Sequence, residues 1–330
     1  MDIGENLLKQ LAMRATAVIM LSIIASCDRT AGANQPARRG PALPDSMGAA
    51  PTHVSVVRTR ARPELLENST AAMSHRQPGV FFTINDSGND PVLFAMDTTG
   101  ADRGAWPVRG ATNVDWESAA IGPCAPPGVA ECVYIGDTGD NLAHHRSRAV
   151  YRVAEPAANG STDSIVAEKL SYVYADGPHD VEAMYVARNG DMFFITKRRL
   201  KNGAGALRPA LVFKLSAAEW SAHRQVVAQL VDSLSLVPGS APLRVITDAS
   251  LSPDARHLAV RTYMQVYVYA TDPLTGRVLR AVPPSVCNIV SLGEPQGEGV
   301  TWADNGGRLV FTSEGQEQPI RIANCPLPRG

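Results

Sequence analysis

The chain has 330 residues, 45% of them hydrophobic, and balances 31 basic against 32 acidic residues for a formal net charge of −1. That is enough apolar material to bury a sizeable core. The charge balance excludes a nucleic-acid groove, which needs a basic surplus to neutralise phosphates.

At the N-terminus, Lys9 and Arg14 precede an apolar run over 15–25. The run is shorter than the ~20 residues a spanning helix needs, and it reads as a targeting segment. It closes on Ile24-Ala25-Ser26-Cys27, which resembles a bacterial lipobox. The resemblance implies a signal peptide over 1–26 and a diacylglycerol on the Cys27 thiol. The protein would then be exported and lipid-anchored, on the periplasmic or cell-surface side of a membrane. An ordinary secretory signal with a chance cysteine is the alternative. Asp2 and Glu5 are unusual in such a segment, so Met13 is an alternative start. Asp28 resembles an inner-membrane retention signal of some diderms.

Residues 27–52, rich in Ala, Pro, Gly and Arg without periodicity, read as a flexible tether. Residues 53–330 read as one domain. With Cys27 set aside, four cysteines remain: Cys124, Cys132, Cys287 and Cys325. Two disulfides are expected, Cys124 with Cys132 across a short loop and Cys287 with Cys325 holding the C-terminal tail.

Short strand-like runs follow in order, separated by Asp, Asn, Gly and Pro clusters: 80–84, 92–96, 132–135, 192–196, 210–215, 257–261, 265–269 and 308–312. Residues 217–222 read as one helical turn. A unit with a polar or acidic start recurs at Ser69, Glu117, Glu182, Asp248 and Glu298, spaced 48, 65, 66 and 50 residues apart. Such spacing, near the ~50 residues of known blade repeats, predicts an all-β propeller of four-stranded blades. Five blades are favoured and six are the alternative. Segments 165–174 and 225–236 supply fourth strands. The last copy has three strands, so the segment 53–60 is expected to close the ring from the N-terminal side. A β-sandwich would lack the repeated acidic start.

Equivalent blade positions converge on a propeller's axis, so Glu117, Glu182, Asp248 and Glu298 are expected there. Asp115 and Asp180 lie two residues upstream of their glutamates, on the same side of a strand. The ends of the second strands bring Asp86, Asp137, Lys197, Arg261, Tyr263 and Glu314 toward the same region. Clustered carboxylates must be offset by a hard cation such as Ca²⁺, by ion pairs to Lys197 and Arg261, or by shared protons. The candidate metal ligands are Glu117, Glu182, Asp248, Glu298, Asp86 and Asp137. The candidate catalytic residues are Glu182, Asp180, Lys197 and Arg261. His144-His145 and His179 are weaker candidates. No Gly-x-Ser-x-Gly elbow, Walker loop or dinucleotide fingerprint occurs.

The pieces Asn85-Asp86-Ser87-Gly88, Asp115-Trp116-Glu117, Gly136-Asp137-Thr138-Gly139-Asp140-Asn141, Asp180-Val181-Glu182 and Thr196-Lys197-Arg198 resemble a group of exported bacterial propellers. More distantly, the Asp-x-Glu starts resemble the SdiA-regulated and esterase-like-phytase families. The resemblance covers roughly 65–315 and implies the fold more firmly than any chemistry. By analogy with propellers that hold Ca²⁺ in their channel, it implies a metal-dependent hydrolase of an ester, lactone or phosphoester. The rival expectation is a non-catalytic module binding a small molecule, an envelope ligand or a protein partner.

Overall fold

The computed structural model describes residues 48–125, 128, 130–197, 208–236, 245–303 and 306–329. The segment expected to be a signal peptide, Cys27 and most of the expected tether lie outside the described residues. The strands form four sheets, of four, eight, four and five strands; the eight-stranded one divides at a parallel seam, so that the antiparallel ladders make five units. The first holds β2 (Ala72–Met73), β3 (Val80–Ile84), β4 (Val92–Asp97) and β5 (Asp102–Arg109), with the two-residue β9 (Ile165–Val166) added parallel to β5. The second holds β6 (Trp116–Pro123), β7 (Glu131–Asp137), β8 (Arg148–Ala154) and β10 (Glu168–Tyr174). The third holds β11 (Val181–Val186), β12 (Met192–Thr196), β13 (Ala210–Leu215) and β14 (Val226–Leu234). The fourth holds β15 (Ile246–Leu251), β16 (His257–Thr262), β17 (Gln265–Ala270) and β18 (Ser285–Asn288). The fifth holds β19 (Gly297–Ala303), β20 (Arg308–Ser313) and β21 (Ile320–Asn324), and its outer strand is β1 (Thr52–Val57).

The strand runs read from the sequence coincide with β3, β4, β7, β12, β13, β16, β17 and β20 within a residue or two at each end. They were legible because a strand between two packed blades is buried on both faces. It therefore reads as a continuous apolar run, as in Val80–Ile84 and Met192–Thr196. Outer strands alternate instead: β10 reads exposed, exposed, buried, exposed, buried. Ring closure is also as expected. β1 runs antiparallel to β21, with Ser55 opposite Ile322 and Val57 opposite Ile320. The helical turn is a 3-10 turn over Ala217–Ser221, capped by Ser216.

Five apolar clusters fill the five gaps between neighbouring units. Phe82 and Trp106 meet Trp116 and Tyr151. Tyr134 and Tyr172 meet Phe194 and Phe213. Tyr185 and Phe193 meet Leu258 and Tyr267. Val266 and Val268 meet Val300 and Phe311. Phe81 and Met96 meet Val310 and Ile320, joining the last unit to the first. This is a closed β-propeller. The parallel pairing of β10 with β14 adds an outer seam between the second and third units. Both expected disulfides are present, Cys124–Cys132 and Cys287–Cys325. They point to an oxidising compartment outside the cytoplasm. No helix among the described residues is long and apolar enough to cross a membrane.

At the axis, the inner strands are clasped by one carboxylate. Asp248 is fully buried. Its Oδ1 accepts from the Thr70 hydroxyl at 3.1 Å and the Ala249 amide at 2.8 Å. Its Oδ2 accepts from the Ala71 amide at 3.2 Å and the Val300 amide at 2.9 Å. The donors come from the first, fourth and fifth units. Thr70 Oγ1 in turn accepts from the Ala119 amide of the second. Burial pushes the Asp248 carboxyl up, and the four donors pull it back. Asp248→Ala leaves four buried donors unpaired. We expect it to lower unfolding free energy by about 3–5 kcal/mol in urea titration, with Asp248→Asn intermediate. A loss below about 1 kcal/mol would show that the clasp is dispensable.

Candidate active site

The acidic starts of the inner strands are placed by β-bulges. The pairing register shifts between Trp116 and Ser118 in β6, Val181 and Ala183 in β11, Ile246 and Asp248 in β15, and Gly297 and Val300 in β19. A bulge frees a residue from the ladder and re-aims its side chain. The freed residues are Glu117, Glu182 and Thr247 and, in β19, Glu298 with Gly299. In the first unit the same shift falls between Asn68 and Ala72, around Ser69. Aspartate 248, expected in this ring, lies one residue past its bulge and is consumed by the clasp. Thr247 holds the ring position and donates its hydroxyl to the Glu298 carbonyl at 2.9 Å.

The residues opposite the bulges are Asn85, Asp137, Thr196, Thr262 and Ser313. The next residue of each second strand is Asp86, Thr138, Lys197, Tyr263 and Glu314, which form the mouth. Carboxylate oxygens of Asp86, Asp115 and Glu117 all lie within 4.8 Å of one another. Gly139 backs them: a Cβ there would meet Asp115 Oδ2 and Glu117 Oε1 at 2.6 Å each. Its missing side chain is what gives these two carboxylates their room. Lys197 Nζ donates to Glu182 Oε1 at 2.7 Å and keeps a quarter of its side chain exposed.

The electrostatics are those of buried, like-charged oxygens. Burial, then Asp86, lifts the Asp115 carboxyl to about 7. Burial, then Glu182 and Asp86, lifts Glu117 well above its ordinary value. Burial also raises Asp86. Burial, then Glu314, lifts Glu298 to about 8. Burial, then Asp86 and Glu67, lifts Glu314 to about 7. Glu182 reaches about 8 through burial, against the pull of Lys197. Burial pulls the Lys197 ammonium down, but Glu182, Glu117 and Asp180 outweigh it and hold the group above its usual range. Tyr263 is raised by burial and by Glu298. Its hydroxyl and Glu314 belong to the mouth, yet the sequence reading assigned them no role.

Other expected site residues have hydrogen-bond partners of their own. Asp137 accepts from the Asp115 amide at 2.9 Å and from Arg148 at 3.2 Å, both through Oδ1. Asp180 Oδ1 accepts the Asp140 amide at 2.9 Å, and its carbonyl accepts the Lys197 amide at 3.0 Å. Arg261 is fully buried behind β19. It donates to the Gly299 and Thr312 carbonyls at 2.6 and 3.2 Å and pairs with Glu294 at 2.5 Å. It does not share the mouth with Lys197: Tyr263, two residues on, takes that place. His179 bonds Asp176 at 2.9 Å and packs on Tyr174 and Phe213.

No protein-family model matches the chain, and no curated protein does. Solved structures of similar outline include a luciferin-regenerating enzyme, at 10% identity and TM-score 0.40, covering 84% of this chain and 82% of that one. Glutaminyl cyclase of Myxococcus xanthus aligns at 10% identity and TM-score 0.43, over 84% and 97%. The gluconolactonase XC5397 of Xanthomonas campestris aligns at 13% identity and TM-score 0.40, over 85% and 98%. Identities and scores this low decide neither family nor chemistry.

Glu298 and Glu314 sit above the ordinary carboxyl value of 4.5 when folded. Their protonated forms therefore contribute stability that is complete below that value and lost as pH rises through about 7 to 8. In cation-free protein we expect the melting temperature to fall by several degrees from about pH 6 to about pH 9, followed by circular dichroism. A flat or rising profile would contradict the assignment.

Proposed function

We propose that this is an exported, lipid-anchored propeller that binds a hard divalent cation, Ca²⁺ by its donor chemistry, and hydrolyses an ester, lactone or phosphoester at the acidic mouth. The observation that carries the reading is the convergence of Asp86, Asp115 and Glu117. Three carboxylates lie within reach of one ion. A bound cation there would polarise a substrate oxygen and lower the pKa of water. The chain's own groups supply the rest. Lys197, half-buried and fixed by Glu182, is placed to hold an anionic group or the developing oxyanion. Glu182, lifted by burial to about 8, is placed to take a proton from attacking water once it is ionised. The water oxygen then bonds to the acyl or phosphoryl centre, and the departing oxygen leaves with a proton.

A second reading, a non-catalytic binding module, is favoured by the opposite end of the axis. There the later halves of the inner strands open into a cavity of about 850 Å³ lined by Met73, Ile121, Val186, Leu251 and Trp302. A small molecule, an envelope ligand or a protein terminus fits such a space.

Turnover should be screened over lactones, aryl esters and phosphoesters with untagged protein. Chelation is expected to abolish it and Ca²⁺ to restore it, while Glu117→Gln lowers kcat at least 100-fold (on the order of the loss for a key polar group) and stays folded. Activity retained in both experiments would overturn the hydrolase, and absence of turnover across the panel would favour the binding module. For the anchor, intact-mass analysis of membrane fractions should show a lipid adduct that Cys27→Ala removes. An unmodified cleaved chain would reject the lipobox.

A further inference from the structure

A second group of donors, chemically unlike the acidic mouth, sits in the turn after β7. Asp140, His144 and His145 present ligand atoms that all lie within 4.8 Å of one another. Among the described residues this is the one such group that contains imidazole. The four cysteines of the propeller are tied up in disulfides and offer no thiolate.

The turn holds these groups ready. The Asp140 side chain is almost fully buried. Its Oδ1 accepts the His144 amide at 3.0 Å and its Oδ2 the His145 amide at 2.8 Å. Each oxygen keeps a second lone pair. Between Asp140 and the histidines, Ala143 is held at φ +51°, a left-handed conformation unusual for alanine. The two rings stand 4.2 Å apart, and His144 Nδ1 is 3.6 Å from Asp140 Oδ1. Ligands about 2.0–2.1 Å from a tetrahedral zinc are about 3.3 Å apart. Only a small ring movement separates the present geometry from coordination. His144 is mostly exposed, so remaining positions on an ion would face solvent.

We propose that Asp140, His144 and His145 form a site for a borderline transition ion, Zn²⁺ by the donor set. Two imidazoles favour Zn²⁺ over Ca²⁺, which takes oxygen. This site is distinct from the Asp86–Asp115–Glu117 carboxylates and does not depend on the hydrolase reading. It touches that end of the molecule through the Asp140 amide on Asp180. An ion there would brace the turn that carries this bond.

The test uses untagged, chelator-stripped full-length protein. Calorimetric titration with Zn²⁺ should give one site per chain that excess Ca²⁺ does not displace. Co²⁺ should give the intense visible bands of a tetrahedral N/O site. His144→Ala/His145→Ala should weaken Zn²⁺ binding at least tenfold and remove the bands, with an unchanged melting temperature in chelator. His53→Ala/His223→Ala should leave both intact. Absent Zn²⁺ binding, binding unchanged in the His144/His145 variant, or Zn²⁺ displaced by equimolar Ca²⁺ would each overturn the site. The first two outcomes leave the carboxylate site untouched, and the third would place the ion in it.

Discussion

The Asp248 carboxylate at the propeller axis sets the terms for the rest of the molecule. A ring of five units has no edge-to-edge hydrogen bonds between innermost strands. Each gap is filled by apolar packing, with side-chain bonds at the centre and, between the second and third units, the outer β10–β14 pairing. Four donors from three units on one carboxylate give that centre its geometry. The arrangement needs small neighbours. Thr70, Ser118, Ala183 and Gly299 occupy the places beside Asp248 around the ring. A Cβ at Gly299 would meet Thr312 Oγ1 at 2.2 Å and the Ala71 amide at 2.8 Å. The clasp ties together the inner strands of the first, fourth and fifth units and, through Thr70, that of the second.

One residue earlier the logic reverses. Glu117, Glu182 and Glu298 are buried too but lack the ring of amide donors that Asp248 has. They face one another, Asp86, Asp115 and Glu314, with Lys197 as their shared counter-charge. Such an arrangement opposes folding at neutral pH unless protons or a cation offset it. A fold that gives one axial carboxylate four donors and its neighbours, Glu182 and Glu298, a single side-chain donor each concentrates binding potential at one end. The opposite end, where the same strands carry Met73, Ile121 and Trp302, is wide and mixed in polarity.

Much of this was legible in the sequence for identifiable reasons. Strands sandwiched between blades had to be continuous apolar runs, and recurring acidic starts followed from the repeat. The cysteine spacing around 124–132 and the odd strand at 53–60 required partners that the fold supplies. Distinguishing the two faces of the inner strand was beyond it. Thr247 and Asp248 are adjacent, and a linear alignment matched acid to acid. A bulge shifts the side-chain direction by one residue without leaving a compositional mark. Arg261 and Lys197 looked equivalent for the same reason.

The sequence by itself determined the all-β class, the repeat, the closing strand and the disulfide partners, because these depend on local period and on pairing that has few alternatives. Only the tertiary structure decided which acids share space. Asp86 and Glu117 are 31 positions apart and meet because two strands of different units end at one axis. Asp248 leaves the ring because register, not residue type, sets the side of the strand on which a carboxylate is presented.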